Sequence, residues 1–182
     1  MGIKVAVLTG SLRDESLNWR LAKALVQAAP DGMEFEHLKI DEVPYYDQDD
    51  EADMPDAVSD LKRRIAAADA LMFVTPEYNR SIPGVLKNAI DWASRPYGQN
   101  SFAGKPALVA GTSPGPLSTG PAQQHLRTIL SYLDVYPLGQ PEVFIHFKDD
   151  LIDQDGNVSV DSTAGFFRDV MQEFRDHITR MT

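Results

Sequence analysis

Behind the apolar run Ala70-Leu71-Met72-Phe73-Val74 comes Pro76-Glu77-Tyr78-Asn79-Arg80-Ser81-Ile82-Pro83-Gly84-Val85-Leu86-Lys87-Asn88-Ala89-Ile90-Asp91-Trp92. A buried strand here empties into a polar, proline-fixed turn that enters a helix. In an open α/β sheet, ligands bind beyond the carboxyl ends of the strands, at junctions of this kind. A second junction opens the chain, where Ile3-Lys4-Val5-Ala6-Val7-Leu8-Thr9 runs into Gly10-Ser11-Leu12-Arg13-Asp14-Glu15-Ser16-Leu17-Asn18. Two such turns on one sheet edge point to one site with two ends.

Apolar runs and amphipathic segments alternate along the rest of the chain. Strand patterns occupy residues 3–9, about 34–40, 70–75, 106–111 and 142–147. Three are continuously apolar (Val5 to Leu8, Leu71 to Val74, Ala107 to Ala110), as expected when helices cover both faces of a parallel sheet. Helical spacing links Leu17, Leu21, Leu25 and Ala28; Val58, Leu61, Ile65 and Ala68; Leu126, Ile129, Leu130 and Leu133; and Phe167, Val170, Met171, Phe174 and Ile178. Pro83 is tolerated in a first helical turn and starts a helix over Gly84–Trp92. Each parallel crossover needs a connecting helix. The expected fold class is therefore α/β, a three-layer doubly wound domain on a five-stranded parallel sheet.

With 182 residues the chain reads as one domain, 1–182, and its 43% hydrophobic content suffices for a sizeable core. The absence of cysteine excludes disulfides, thiolate catalysis and zinc–thiolate sites. No apolar run approaches the roughly 18 residues of a spanning helix, and the N-terminus is strand-like rather than a signal peptide. No membrane association is expected, and the location is read as cytoplasmic. A net charge of −10 argues against nucleic acid as a partner. Seven of the acidic residues (Asp41, Glu42, Asp47, Asp49, Asp50, Glu51 and Asp53) crowd one segment that lacks calcium-loop spacing, and it reads as a solvated loop rather than a metal site. The stretch Asp149 to Ser162 is polar and turn-rich. Its Asp153-Gln154-Asp155-Gly156-Asn157 is read as a tight turn, because Leu151 and Ser162 stand where a calcium loop needs ligands.

In the first loop, Gly10 frees the backbone for a sharp turn. Ser11, Ser16 and Asn18 bring short hydrogen-bonding side chains, and Arg13 a fork of donors matched to phosphate. The helix beginning near Ser16 aims its N-terminus at the same spot, which suits a phosphate monoester. Alternatively the serines merely cap the helix. Neither Gly-Lys-Ser/Thr nor G-x-G-x-x-G is present, so a nucleoside-triphosphate loop and a dinucleotide fingerprint are both ruled out. In the second loop Pro76 fixes the backbone, and the N–H groups of Glu77, Tyr78 and Asn79 offer a row of donors for the edge of a flat heterocycle. Tyr78 is either an aromatic wall for that ring or buried bulk.

These two motifs, Gly10-Ser11-Leu12-Arg13…Ser16…Asn18 and Pro76-Glu77-Tyr78-Asn79…Ser81-Ile82-Pro83-Gly84…Leu86-Lys87-Asn88-Ala89-Ile90-Asp91-Trp92, together with Gln124-His125-Leu126-Arg127, resemble the NAD(P)H-dependent FMN reductase family. This is the flavodoxin-like branch that includes quinone, chromate and azo-dye reductases, and the resemblance covers essentially the whole chain. It implies that Ser11, Arg13, Ser16, Leu17 and Asn18 surround the FMN phosphate, and that Pro76, Glu77, Tyr78 and Asn79 line the isoalloxazine. The turn near Ser113 and Gly115 would close the other side of the ring. It further implies NADPH or NADH as electron donor, small-molecule electron acceptors, and a ping-pong exchange of hydride through the flavin. No side-chain acid or base is nominated, and the histidines His37, His125, His146 and His177 read as structural or surface. A homodimer or homotetramer is implied, with the flavin near the subunit boundary. Trp92, Tyr97, Tyr132 and Tyr136 are candidate interface anchors or edge-of-core packing. Arg80 departs from the family pattern, which often has a small or aromatic residue there. Its guanidinium could attract a nicotinamide cofactor's phosphates or an anionic acceptor, or lie in solvent. The proline-rich turn Ser113-Pro114-Gly115-Pro116 departs too, since relatives tend to show paired glycines.

Two other classes compete. Gly111-Thr112-Ser113-Pro114-Gly115 matches the G-x-S-x-G elbow of a serine hydrolase, with Asp134 and His146 following in order. Pro114 speaks against it, because the residue after the nucleophile must lend an N–H to the oxyanion hole. A flavodoxin-type electron carrier also fits acidity and fold, but Arg13 and the Glu77–Trp92 motif match the reductases better.

Overall fold

Val5 to Leu8, Ala70 to Val74 and Ala107 to Ala110 are continuously apolar and buried because helices cover both faces of the sheet there. In the computed structural model, which describes residues 2–148 and 150–181, β1 (Ile3–Thr9), β2 (Met33–Leu38), β3 (Ala70–Val74), β4 (Pro106–Ser113), β5 (Tyr136–Pro137) and β6 (Val143–His146) form one parallel sheet. The order is β2-β1-β3-β4-β5, with β6 on the same side of β4 as β5. Alternate residues of each strand serve opposite layers. Ala6, Leu8, Leu71, Phe73 and Val109 pack under α2 (Asp56–Ala67), α3 (Gly84–Ala93) and α4 (Gly120–Tyr132). Val5, Val7, Met72, Val74 and Leu108 pack under α1 (Leu17–Gln27) and α5 (Asp161–Met181). This is the expected three-layer, doubly wound, flavodoxin-like fold.

The fifth lane differs from expectation. The sequence pattern shows one strand at 142–147, whereas the lane begins earlier: Tyr136 and Pro137 pair with Pro106 and Ala107, and Val143–His146 pair with Ala110–Ser113. Pro137 and Pro141 have no N–H to give a ladder, so the lane is interrupted between them. Two residues containing a proline carry no strand periodicity, which is why β5 escaped the pattern.

Two glycines set how closely the central loops approach. A Cβ on Gly10 would lie 2.7 Å from Thr75 Oγ1, and one on Gly111 would overlap both the Thr75 carbonyl and Thr119 Oγ1. The fully buried Thr75 is thus wedged between the ends of β1 and β4.

The helix that follows the second loop also holds a distant segment. Asn88 accepts the Tyr46 N–H at 2.8 Å and donates to the Pro44 carbonyl at 2.8 Å, and Trp92 Nε1 donates to the same carbonyl at 2.9 Å. Trp92 is fully buried, with the Tyr46 ring edge-on at 5.0 Å. It is a core residue, not an interface anchor. In the acidic segment Asp47 caps the short 3-10 helix Gln48–Asp53 and Glu51 accepts the Tyr46 hydroxyl at 2.6 Å. Asp149 lies outside the described residues. In the excursion beyond it, Asp153 accepts the N–H groups of Asp155 and Asn157, both at 2.9 Å, which closes a tight turn against α1.

Gly111→Ala should cost about 1–3 kcal/mol of stability, the usual range for overpacking a closed site. The midpoint of urea unfolding checks it; an unchanged midpoint would mean the loops can separate freely.

Candidate functional site

With β1 between β2 and β3, the loops after β1 and β3 leave neighbouring strands toward opposite faces. One enters α1 and the other α3, and the crevice they open at the carboxyl edge is the switch point where such sheets bind mononucleotides.

At one end of this crevice Arg13 O accepts the Ser16 N–H at 3.2 Å, and the chain turns into α1. Ser16 is the N-cap, its Oγ accepting the Trp19 N–H at 3.4 Å. The backbone N–H groups of Leu17 and Asn18 make no hydrogen bond among the described residues, as first-turn geometry requires. Ser11 and Ser16 are buried beneath the loop, while Arg13 is exposed and makes no ion pair among the described residues. Free N–H donors, the positive end of a helix dipole and an uncommitted guanidinium together form an anion cradle.

Asn18 has a role that its sequence position does not disclose. Its Oδ1 accepts the Thr112 N–H and its Nδ2 donates to the Thr112 carbonyl, both at 3.0 Å and buried. The side chain therefore joins the anion cradle to the carboxyl end of β4, and only its backbone N–H is left for the cradle. Trp19, which sequence reasoning passed over, buttresses the same loop: its Nε1 donates to the Ser11 carbonyl at 3.1 Å, and its ring stacks on His37 at 5.0 Å. Burial first, and then the Lys23 ammonium, hold His37 below the usual imidazole range.

At the other end, the expected row of three donors is broken. Tyr78 N–H bonds the Ser81 carbonyl at 2.9 Å, and Ser81 N–H returns to the Tyr78 carbonyl at 3.0 Å. The N–H groups of Glu77 and Asn79 remain uncommitted among the described residues, so this loop offers two free donors rather than three. The Glu77 carboxylate is turned away: one oxygen accepts the Ala122 N–H of the first turn of α4 at 3.1 Å, the other pairs with Arg80 at 3.2 Å. Tyr78 is half exposed, which excludes buried bulk.

The loop after β4 is tied down by its own side chains. Ser113 Oγ donates to the Ser118 carbonyl at 2.9 Å and accepts the Gly115 N–H at 3.2 Å. Ser118 and Thr112 both donate to the Ile145 carbonyl. Leu12, Tyr78 and Leu117, all large and exposed, stand in the loops after β1, β3 and β4 and give this edge apolar surface. These groups fit a flavin mononucleotide: donors and a cation for the phosphate, backbone N–H groups and apolar surface for a tricycle. A cavity of about 520 Å³ lies elsewhere, between α3 and α4.

The hydrolase alternative fails on geometry. Ser113 Oγ is committed within its own loop, and Asp134 lies before β5, beside the start of β4. At about 3.3 Å per residue along β4, that is roughly 20 Å from Ser113.

Residues 3–150 match the model of the NADPH-dependent FMN reductase family. The chain belongs to that family. It is 45% identical to a 2-hydroxy-1,4-benzoquinone reductase of a Burkholderia species, over 96% of this chain and 95% of the relative. It is 39% identical to a quinone reductase of Escherichia coli K12, over 98% of this chain and 97% of that protein. Its fold superposes on FerB, a flavoenzyme NAD(P)H:(acceptor) oxidoreductase of Paracoccus denitrificans, with a TM-score of 0.94, 45% identity and 98% coverage of both chains. Membership in this reductase family makes FMN the cofactor and a reduced nicotinamide the electron donor, and it sets aside the electron-carrier alternative.

Asn18→Leu should destabilise the reductase by about 2–4 kcal/mol, because it leaves two buried backbone groups of Thr112 unpaired. Denaturant melts of the FMN-free protein read this directly. A separate test concerns His37. Its folded pKa is lowered, so the unfolded chain binds the proton more readily and stability falls as pH drops below about 6.5. His37→Phe should lose part of that fall, and identical pH profiles of Tm would contradict the assignment.

Proposed function

We propose that residues 1–182 form one FMN-binding domain that carries hydride from NAD(P)H to quinones and similar acceptors. The observation that carries this reading is the pair of cradles on the adjacent strands β1 and β3, one built for a phosphate and one for a flat ring. Ser11, Arg13, Ser16, Leu17 and Asn18 would hold the phosphate, Asn18 through its backbone N–H. Pro76, Glu77, Tyr78 and Asn79 would line one side of the ring, Ser113 and Gly115 the other. The bound flavin supplies the chemistry, taking hydride from the nicotinamide and passing the electron pair to the acceptor. The chain's part is position and electrostatics. The N–H groups of Glu77 and Asn79, fixed by the Tyr78–Ser81 turn, point donors at the ring edge with no reorganisation as charge grows there. Glu77 is committed to α4 and Arg80, which leaves the proton for the product to come from water.

The curated relatives named for quinones support quinones as acceptors. The α3–α4 cavity supports a homodimer or homotetramer. Ile90, Arg95, Thr128 and Ile129 line it, and Tyr97 and Tyr132 on its rim are 87% and 83% exposed. Exposed aromatics around a groove are the composition of an interface core. No helix among the described residues is long and apolar enough to cross a membrane, and dependence on reduced nicotinamide supports a cytoplasmic location.

The test is the visible spectrum of the purified protein titrated with FMN, then rapid mixing with NADPH or NADH and reoxidation by 1,4-benzoquinone. Bound flavin that bleaches and recovers is expected; protein that takes up no FMN ends the reading. Arg13→Ala should weaken FMN binding about 10- to 100-fold, the worth of one or two charge-assisted hydrogen bonds. Riboflavin, which lacks the phosphate, should feel the change far less.

A further inference from the structure

At position 80 the backbone and the side chain of this chain disagree. The two bonds between Tyr78 and Ser81 close a two-residue turn whose central residues, Asn79 and Arg80, have φ of 53° and 67°. This is type I′ geometry, comfortable for asparagine first and favouring glycine second. An arginine there carries backbone strain, and strain of this kind gathers where function requires the residue.

The fold itself gives Arg80 little reason to be there. Its side chain is 69% exposed, and its one ion pair is with Glu77. A single pair whose guanidinium lies in solvent contributes little to stability. Glu77, only 10% exposed, keeps its place through the Ala122 N–H whether or not the guanidinium is present. The loop opposite, residues 113–121, contains no charged residue. Of the two loops that flank the ring, Arg80 is therefore the charge presented to solvent.

We propose that Arg80 selects anionic acceptors, above all quinones ionised through a ring hydroxyl; this rests on the flavin reductase reading above. A 2-hydroxyquinone is a vinylogous carboxylic acid. It is an anion at neutral pH, with its charge shared between the 2-oxygen and the 4-carbonyl, and a guanidinium fork can engage the 2-oxygen together with the adjacent 1-carbonyl. Reduction takes up one hydride equivalent, supplied by NAD(P)H through the flavin, and two protons from water. The product is a trihydroxybenzene that is neutral at the same pH. Arg80 thus holds the acceptor more tightly than the product, which favours release after each turnover.

The experiment compares kcat/KM for 2-hydroxy-1,4-benzoquinone and for 1,4-benzoquinone at saturating NADPH, in FMN-loaded wild type, Arg80→Gly and Arg80→Lys. The anion-to-neutral ratio should fall about tenfold in Arg80→Gly, the size of one partly solvated charge-assisted bond. Arg80→Lys should recover part of it, and added salt should lower the wild-type ratio. Arg80→Gly should melt no lower than wild type, because glycine relieves the turn. An unchanged ratio overturns the proposal, as does a rise in the KM for NADPH that affects both acceptors equally, since Arg80 would then read the donor. Wild type whose flavin is not reduced, or which passes electrons to neither quinone, overturns the underlying functional reading and this proposal with it.

Discussion

Burial of a parallel sheet on both faces is the constraint from which the rest of this molecule follows. Strands that lie under helices on either side have no room for polar side chains, so polar chemistry is driven to the strand ends. The carboxyl edge receives Gly10, Thr75 and Thr112 from three neighbouring strands. Because the strand order reverses at β1, with β2 on one side of it and β3, β4 and β5 on the other, loops part at this edge and leave a crevice. The location of the site is a consequence of strand order, and the residues in it only decide what it holds.

The crevice is made rigid by side chains that bond to the backbone of a different loop. Asn18 reaches from α1 to Thr112, Glu77 from the second loop to the start of α4, and Ser118 from the third loop to Ile145. Each buried polar group in these links is satisfied by a partner far away in sequence. Loss of either partner leaves the other desolvated and unpaired, so the three loops hold their positions together. A cradle fixed in this way loses little conformational freedom when a ligand arrives.

Much of this was legible in the chain before its fold was known. Continuous apolar runs marked β1, β3 and β4, and helical spacing marked the layers above them. The anion cradle was readable because its logic is local: Gly10, Ser16 and Arg13 lie within one turn and the first residues of one helix. Other features were hidden for physical reasons. β5 is too short, and too proline-bound, to show a period. Tyr78 looked like a free donor because nothing in its own neighbourhood announces that Asn79 and Arg80 both adopt positive φ. Trp92 looked available for a partner, whereas Pro44 and Tyr46, more than forty residues away in sequence, bury it. Trp19 went unnoticed as the support of Ser11.

What the amino-acid sequence determined alone was the class of fold, the edge that carries the site, and the charge and shape of its two ends, since these depend on periodicity, turn chemistry and side-chain type. Tertiary structure alone decided which donors stay free, that Asn18 ties two loops through its side chain, that Glu77 serves a helix end, and that Arg80 is left to face solvent. Those outcomes are set by pairings between residues remote in the chain, and a hydrogen bond between distant groups leaves no pattern in the order of residues on either side of it.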